Sequence, residues 1–148
     1  MPANHDLSQA DYQALAEFRY QLRRFLHFSE QEARAAGLEP QQHQLLLAIK
    51  GLPTDKTASV GELAERLQLQ HHSTVELIDR MVERGLLERQ RDTGDQRRVL
   101  ISITTYGEEL LRKLSLHHRM ELRTTGPALV QALHALTDTP GDATERKG

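Results

Sequence analysis

Between Ser59 and Thr104 the spacing of apolar residues changes period, and the change leaves few folds open. Val60, Leu63, Ala64 and Leu67 recur at helical spacing, and after Gln68 to Gln70 the pattern resumes with Val75, Ile78, Met81 and Val82. Ser59 with Glu62 has the form of a capping box at the first of these helices, Ser73 with Glu76 at the second, and Gly85 is the expected stop. From Leu87 the alternation is by twos: Leu87, Arg89 and Arg91 against Glu88 and Gln90, then Val99, Ile101 and Ile103 against Leu100 and Ser102. Asp92-Thr93-Gly94-Asp95 between them is turn chemistry. Two short helices at a tight turn followed by a β-hairpin is the prediction for this stretch.

The flanks read as helix. From Ser8 to about Ala35, Leu15, Phe18, Leu22 and Phe25 follow one face with Leu26 beside them; Ser8 and Asp11 suit the start and Gly37 the stop. Five of the six aromatic residues lie on this helix, more apolar surface than one exposed helix leaves in water. Pro40 opens a short helix carrying Leu45, Leu46, Ala48 and Ile49 and ending at Gly51, and residues 53–58 read as a loop. Thr105 and Glu108 start another helix with Leu110, Leu111 and Leu114, and Leu129, Leu133 and Leu136 mark a last helical stretch. The tail from Thr137 to Gly148 is expected to be disordered. All 148 residues fit one domain.

Composition removes several function classes. With no cysteine there is no disulfide, no Cys-ligated zinc and no thiol switch. No apolar run approaches the roughly 20 residues of a bilayer span, so the protein is read as soluble and cytoplasmic, without a membrane partner. His-Glu-x-x-His, a phosphate-binding glycine loop and Gly-x-Ser-x-Gly are all missing from the sequence, which argues against an enzyme. His117 and His118 point about 100° apart on a helix, and the pairs His72/Glu76 and His117/Glu121 supply two ligands each, so no metal and no cofactor is expected. The formal net charge of −2 offers no global basic field, yet Arg84, Arg89, Arg91, Arg97 and Arg98 crowd together.

That local patch makes double-stranded DNA the candidate partner. The second motif helix begins His71-His72-Ser73-Thr74 and carries Arg80, polar groups suited to base edges and phosphates in a major groove. At the hairpin, Arg97 and Arg98 suit a narrow minor groove, with Asp95 close enough to aim the Arg97 guanidinium. Arg89 and Arg91 are further candidates. Blander roles stand beside these: Ser73 as a cap, Arg89 as a brace for the hairpin, Asp95 and Arg97 as a solvated pair, and the whole motif as a protein-interaction module without DNA.

Three features together resemble the MarR (multiple antibiotic resistance regulator) family of bacterial transcription factors. Glu62-Leu63-Ala64 with Leu67 resembles its first motif helix, Gly85-Leu86-Leu87 with Arg89 the start of its first wing strand, and Asp95-Gln96-Arg97 its Asp-x-Arg wing motif. Leu100 to Thr104, with Gly107, resembles the family's exit strand and the helix start after it. The resemblance implies a mainly α fold with a small β-hairpin wing, a winged helix-turn-helix with long N- and C-terminal dimerisation helices at 8–36 and 105–136 around a DNA-binding lobe at 40–104. It implies a homodimer, with Leu15, Phe18, Leu22, Phe25, Leu129, Leu133 and Leu136 at the interface, acting on a pseudo-palindromic promoter site as a repressor. It also implies release by a small aromatic or anionic effector, for which Phe28, His27 and His43 are candidates. Release by cysteine oxidation, used by some members, is closed to this chain.

Overall fold

The computed structural model describes residues 6–95 and 97–138. In chain order they form α1 (Gln9–Ala35), α2 (Pro40–Lys50), α3 (Val60–Leu67), α4 (His71–Glu83), β1 (Leu87–Arg91), β2 (Val99–Ile103) and α5 (Thr105–Thr137). This is the mainly helical chain with one antiparallel hairpin that the sequence predicts. Two compact units divide it, one spanning Glu30–His117 and the other drawn from α1 up to Ser29 and α5 from His118. Thr137 closes α5; of the tail expected to be disordered, residues 139–148 lie outside the described residues.

The Glu30–His117 unit has a closed core. Leu45 and Leu46 of α2, Leu63 of α3, Leu77, Ile78 and Met81 of α4, and Ile101 of β2 are buried together with Leu38, Leu86 and Leu87. Ala33 from the end of α1 and Leu111 and Leu114 from α5 complete it. Full burial of each large side chain contributes about 1.5–3 kcal/mol.

Helix ends set how these elements turn. Gly37 (φ +82°) and Gly85 (φ +72°) take the left-handed conformation the sequence assigns to stops, and Leu38 N–H then reaches Ala33 O and Leu86 N–H reaches Met81 O, each at 2.9 Å. α3 ends the same way without a glycine: Gln68 sits at φ +54° and Leu69 N–H bonds Ala64 O at 3.0 Å. A non-glycine residue there costs about 1–2 kcal/mol, offset by Leu69 packing against the core. The tight turn brings α4 in early. Its cap is Gln70, with no side-chain cap bond, and Ser73, expected as the cap, lies inside the first turn.

The hairpin pairs Leu87 with Ile103, Arg89 with Ile101 and Arg91 with Val99. Ser59 bridges Leu100, and Ile101 N–H donates to Ala58 O at 2.9 Å, so the chain entering α3 lies along the second side of β2. At the hairpin base the Thr104 hydroxyl donates to Gly85 O at 2.6 Å and Thr104 N–H to Leu86 O at 3.1 Å.

The other unit is less closed. Ser8 and Asp11 cap α1 reciprocally: Asp11 N–H donates to Ser8 Oγ at 3.2 Å and Ser8 N–H to Asp11 Oδ2 at 2.8 Å. Those bonds from the Ser8 backbone and hydroxyl hold the Asp11 carboxyl below its ordinary pKa. Phe25 and Phe28 set ring edges at His118, centroids 6.0 and 5.4 Å away, and His118 Nε2 meets Ser29 Oγ at 2.7 Å. Gln21 and Ala132 are buried, but Leu15 and Leu133 remain 45% and 46% exposed, and Tyr12, Tyr20, Leu26, Met120 and Val130 are also exposed. Where the sequence marks two helical stretches, α5 is a single helix of 33 residues that runs through Pro127. Among the described residues no helix is long and apolar enough to cross a membrane.

Candidate nucleic-acid interface

α4 sorts its polar residues into an outer and an inner set. His71, His72 and Arg80 are exposed, and among the described residues their side chains have no hydrogen-bond or ion-pair partner. Ser73 is half-buried. Thr74, expected to contact DNA, is fully buried, and its hydroxyl donates to Gln70 O at 3.0 Å. Helical spacing explains this, because Thr74 lies three, four and seven residues before Leu77, Ile78 and Met81 and so shares their buried face. The expected inner face of Val75, Ile78, Met81 and Val82 is thus rotated, with Val75 and Val82 only half-buried.

On the hairpin four arginines have different tasks. Arg89 pairs with Asp79 of α4 and so braces the wing against the helix, the blander of its two readings. Arg98 Nη2 donates to Thr57 Oγ1 at 2.7 Å and ties the returning side of the wing to the loop before α3. Arg91 is exposed. Arg97 is exposed, and among the described residues its guanidinium has no partner. Asp95 does not aim it as expected: Asp95 Oδ1 accepts the Arg97 backbone N–H at 3.0 Å, and Asp95 O accepts Arg98 N–H at 3.0 Å. The carboxylate shapes the turn that presents Arg97 instead. Gln96 lies outside the described residues.

Sequence reasoning missed Asp79 and Thr57, the acceptors that fix Arg89 and Arg98. Their signal is three-dimensional, since 10 and 41 residues separate the partners. Of the effector candidates, His43 is buried within the Glu30–His117 unit, whereas His27 is exposed and Phe28 packs on His118 in the other unit. The aromatic helix residues Phe18, Leu22 and Phe25, like Leu129 and Leu136, are half-buried.

Two short helices at a three-residue turn, the second offering His and Arg side chains unpaired among the described residues, with a hairpin braced to it through Asp79, define a winged helix-turn-helix protein. Residues 36–98 match the model of the MarR family. The chain is 34% identical over 65 residues to the uncharacterized HTH-type transcriptional regulator YsmB of Bacillus subtilis; the match spans 44% of each chain, less than half the length of that relative. Among solved structures it is similar to AbsC, a MarR family transcriptional regulator from Streptomyces coelicolor, at 21% identity and TM-score 0.70, covering 96% of this chain and 90% of that one. It is also similar to a variant of MepR from Staphylococcus aureus bound to an oligodeoxyribonucleotide, at 19% identity and TM-score 0.61, covering 96% and 92% of the two chains. At these identities the likeness to solved structures is one of fold.

Proposed function

We propose that the protein is a double-stranded-DNA-binding transcriptional regulator, a repressor rather than an enzyme, acting in the cytoplasm as a homodimer on a pseudo-palindromic promoter site. The observation that carries the reading is the set of exposed side chains His71, His72, Arg80 and Arg97, unpartnered among the described residues, on a helix and a wing braced to each other. Each α4 lies in a major groove, the two copies about one DNA turn, roughly 34 Å, apart, with Arg97 of each wing in a flanking minor groove. Arg91 and Ser73 supplement these contacts.

What supports the dimer is the exposed apolar surface of the unit formed by α1 up to Ser29 and α5 from His118, where Leu15 and Leu133 face solvent in one copy. The whole chain then acts as one domain whose terminal helices pair with those of a second copy. Release by a small amphipathic anion is the regulatory part of the reading. A cavity of about 420 Å³ whose lining includes Leu47, Leu111, Lys50, Arg112, Glu108 and Glu109 offers a small amphipathic ligand more room than the buried His43 does, with Arg112 the cation for an anionic group because Lys50 is paired with Glu108 at 2.7 Å.

Fluorescence anisotropy on duplexes from upstream of the protein's own gene, over a range of salt concentrations and with Arg97→Ala alongside, tests the proposal. Binding with a steep salt slope that Arg97→Ala weakens is the expected result, because displaced counterions drive such binding. If neither protein binds any duplex while both fold and dimerise, the winged helix is a protein-interaction module.

A further inference from the structure

Arg84 sits at the C-cap of α4, at the opposite end of that helix from His71 and His72. Its Nη1 donates to Gln42 Oε1 at 2.8 Å and its Nη2 to Gly37 O at 2.8 Å. Gln42 is 6% exposed, in the first turn of α2, and the same Oε1 accepts Glu39 N–H at 3.0 Å. Gly37 is the left-handed residue that closes α1. One guanidinium therefore joins the end of the recognition helix to the end of α1 and the start of α2.

The chemistry of that joint is specific. A guanidinium is a planar fork, so two bonds from it fix direction as well as distance, which a lysine ammonium cannot do. A site that reads base edges needs its side chains held within about 0.5 Å and 10–20°. α4 is braced along its length by the Asp79–Arg89 pair to the wing, and at its end by Arg84.

We propose that Arg84 is a positioning residue for DNA recognition: without touching DNA, it sets the orientation of α4 through Gln42 and Gly37. The inference rests on the DNA-binding reading above. It also makes the end of α1 a direct mechanical partner of the recognition helix, so a displacement of the α1–α2 turn is delivered to α4 through one side chain.

The test measures anisotropy on the operator and on a scrambled duplex for wild type, Arg84→Ala, Arg84→Lys, Gln42→Ala and the Arg84→Ala/Gln42→Ala double variant, with thermal unfolding of each. Arg84→Ala should bind the operator about tenfold more weakly, as when the competent orientation falls to about a tenth of the population. Its binding to the scrambled duplex and its salt slope should stay at wild-type values, because no phosphate contact is lost. Arg84→Lys should lose the same affinity although it keeps the charge, and it carries the test if the alanine variant does not fold. Gln42→Ala, a change beneath the surface, should reproduce the loss, and the double variant should add nothing to it. Unchanged operator affinity in both Arg84 variants overturns the inference. So does a salt slope smaller by about 1 in Arg84→Ala with Arg84→Lys near wild type, which would make Arg84 a phosphate contact. If the wild type binds no duplex, the functional reading falls and takes this one with it.

Discussion

Replacing Gly107 with alanine should destabilise the protein even though it removes a glycine from a helix. Gly107 lies in the first turn of α5 and packs on the loop that leads into β1. A Cβ at this position would stand 2.5 Å from the Leu86 carbonyl oxygen and 2.8 Å from Ile103 Cγ2. Ordinary contact begins at 3.4 Å, so the Leu86 oxygen must retreat by about 0.9 Å, the difference between 3.4 and 2.5 Å. The isoleucine methyl can rotate away, but the carbonyl cannot move alone, because it accepts Thr104 N–H at 3.1 Å. Overpacking costs about 1–3 kcal/mol and the weakened hydrogen bond about 0.5–1.5 kcal/mol, against a gain in helix propensity of about 0.8–1.0 kcal/mol. The net loss is about 0.5–4 kcal/mol and centres on about 2 kcal/mol, or several degrees in Tm at roughly 2–4 °C per kcal/mol for a chain of this size. Urea and thermal unfolding followed by circular dichroism measure it. Gly61→Ala is the control, since a Cβ there meets nothing within 4 Å and should leave stability unchanged or raise it by up to about 1 kcal/mol. A Gly107→Ala protein as stable as wild type, with the control behaving as stated, would refute the close-approach argument.

Three further outcomes rest on particular contacts. Asp95→Asn keeps an oxygen for the Arg97 N–H and should retain DNA affinity, whereas Asp95→Ala should weaken it several-fold; equal losses in an anisotropy titration would restore the ion-pair role. Thr74→Val removes the hydroxyl bonded to Gln70 O and should cost about 1 kcal/mol in urea unfolding with operator affinity unchanged, so a lost affinity at normal stability would place Thr74 on the DNA. Because the folded pKa of Asp11 lies below its ordinary value of 3.8, its cap is fully formed above that pH and is lost as pH falls through the folded value. An NMR titration of the Asp11 carboxyl should show the depression, and Ser8→Ala, which removes the hydroxyl bond but keeps the larger backbone one, should reduce it without abolishing it.

The order of elements was readable from periodicity because each buries one regular face, and of the three glycine stops Gly37 and Gly85 close their helices in the left-handed conformation while Gly51 caps α2 at φ −94°. Ser59 caps α3 as its spacing with Glu62 predicts, with Glu62 N–H on Ser59 Oγ at 3.3 Å. Ser73 with Glu76 has the same spacing and does not cap, because Gln68 takes the left-handed turn on its own and α4 has already started by then. No local signal marks that, since the compensation comes from Leu69 packing on residues far away in sequence. The helix starts three residues earlier than a Ser73 cap would place it, and Thr74 falls on its buried face. The arginines show the same limit: composition finds the patch, but whether a guanidinium faces outward, as at Arg97, or is spent on Asp79, Thr57 or Gln42 depends on partners that only the fold brings near.

A small protruding hairpin also raises a question of solubility. Two-stranded ribbons expose backbone donors and acceptors on both outer edges, and such edges template pairing between molecules. Here the segment around Ala58 and Ser59 occupies the outer side of β2, which leaves β1 as the open edge. β1 is Leu87, buried, followed by Glu88, Arg89, Gln90 and Arg91, all exposed. A second molecule adding a strand there would have to lay its backbone along a row of exposed charged and polar side chains, the kind of edge that discourages pairing. The charged and polar edge of the hairpin thus works against edge-to-edge adhesion of the free protein.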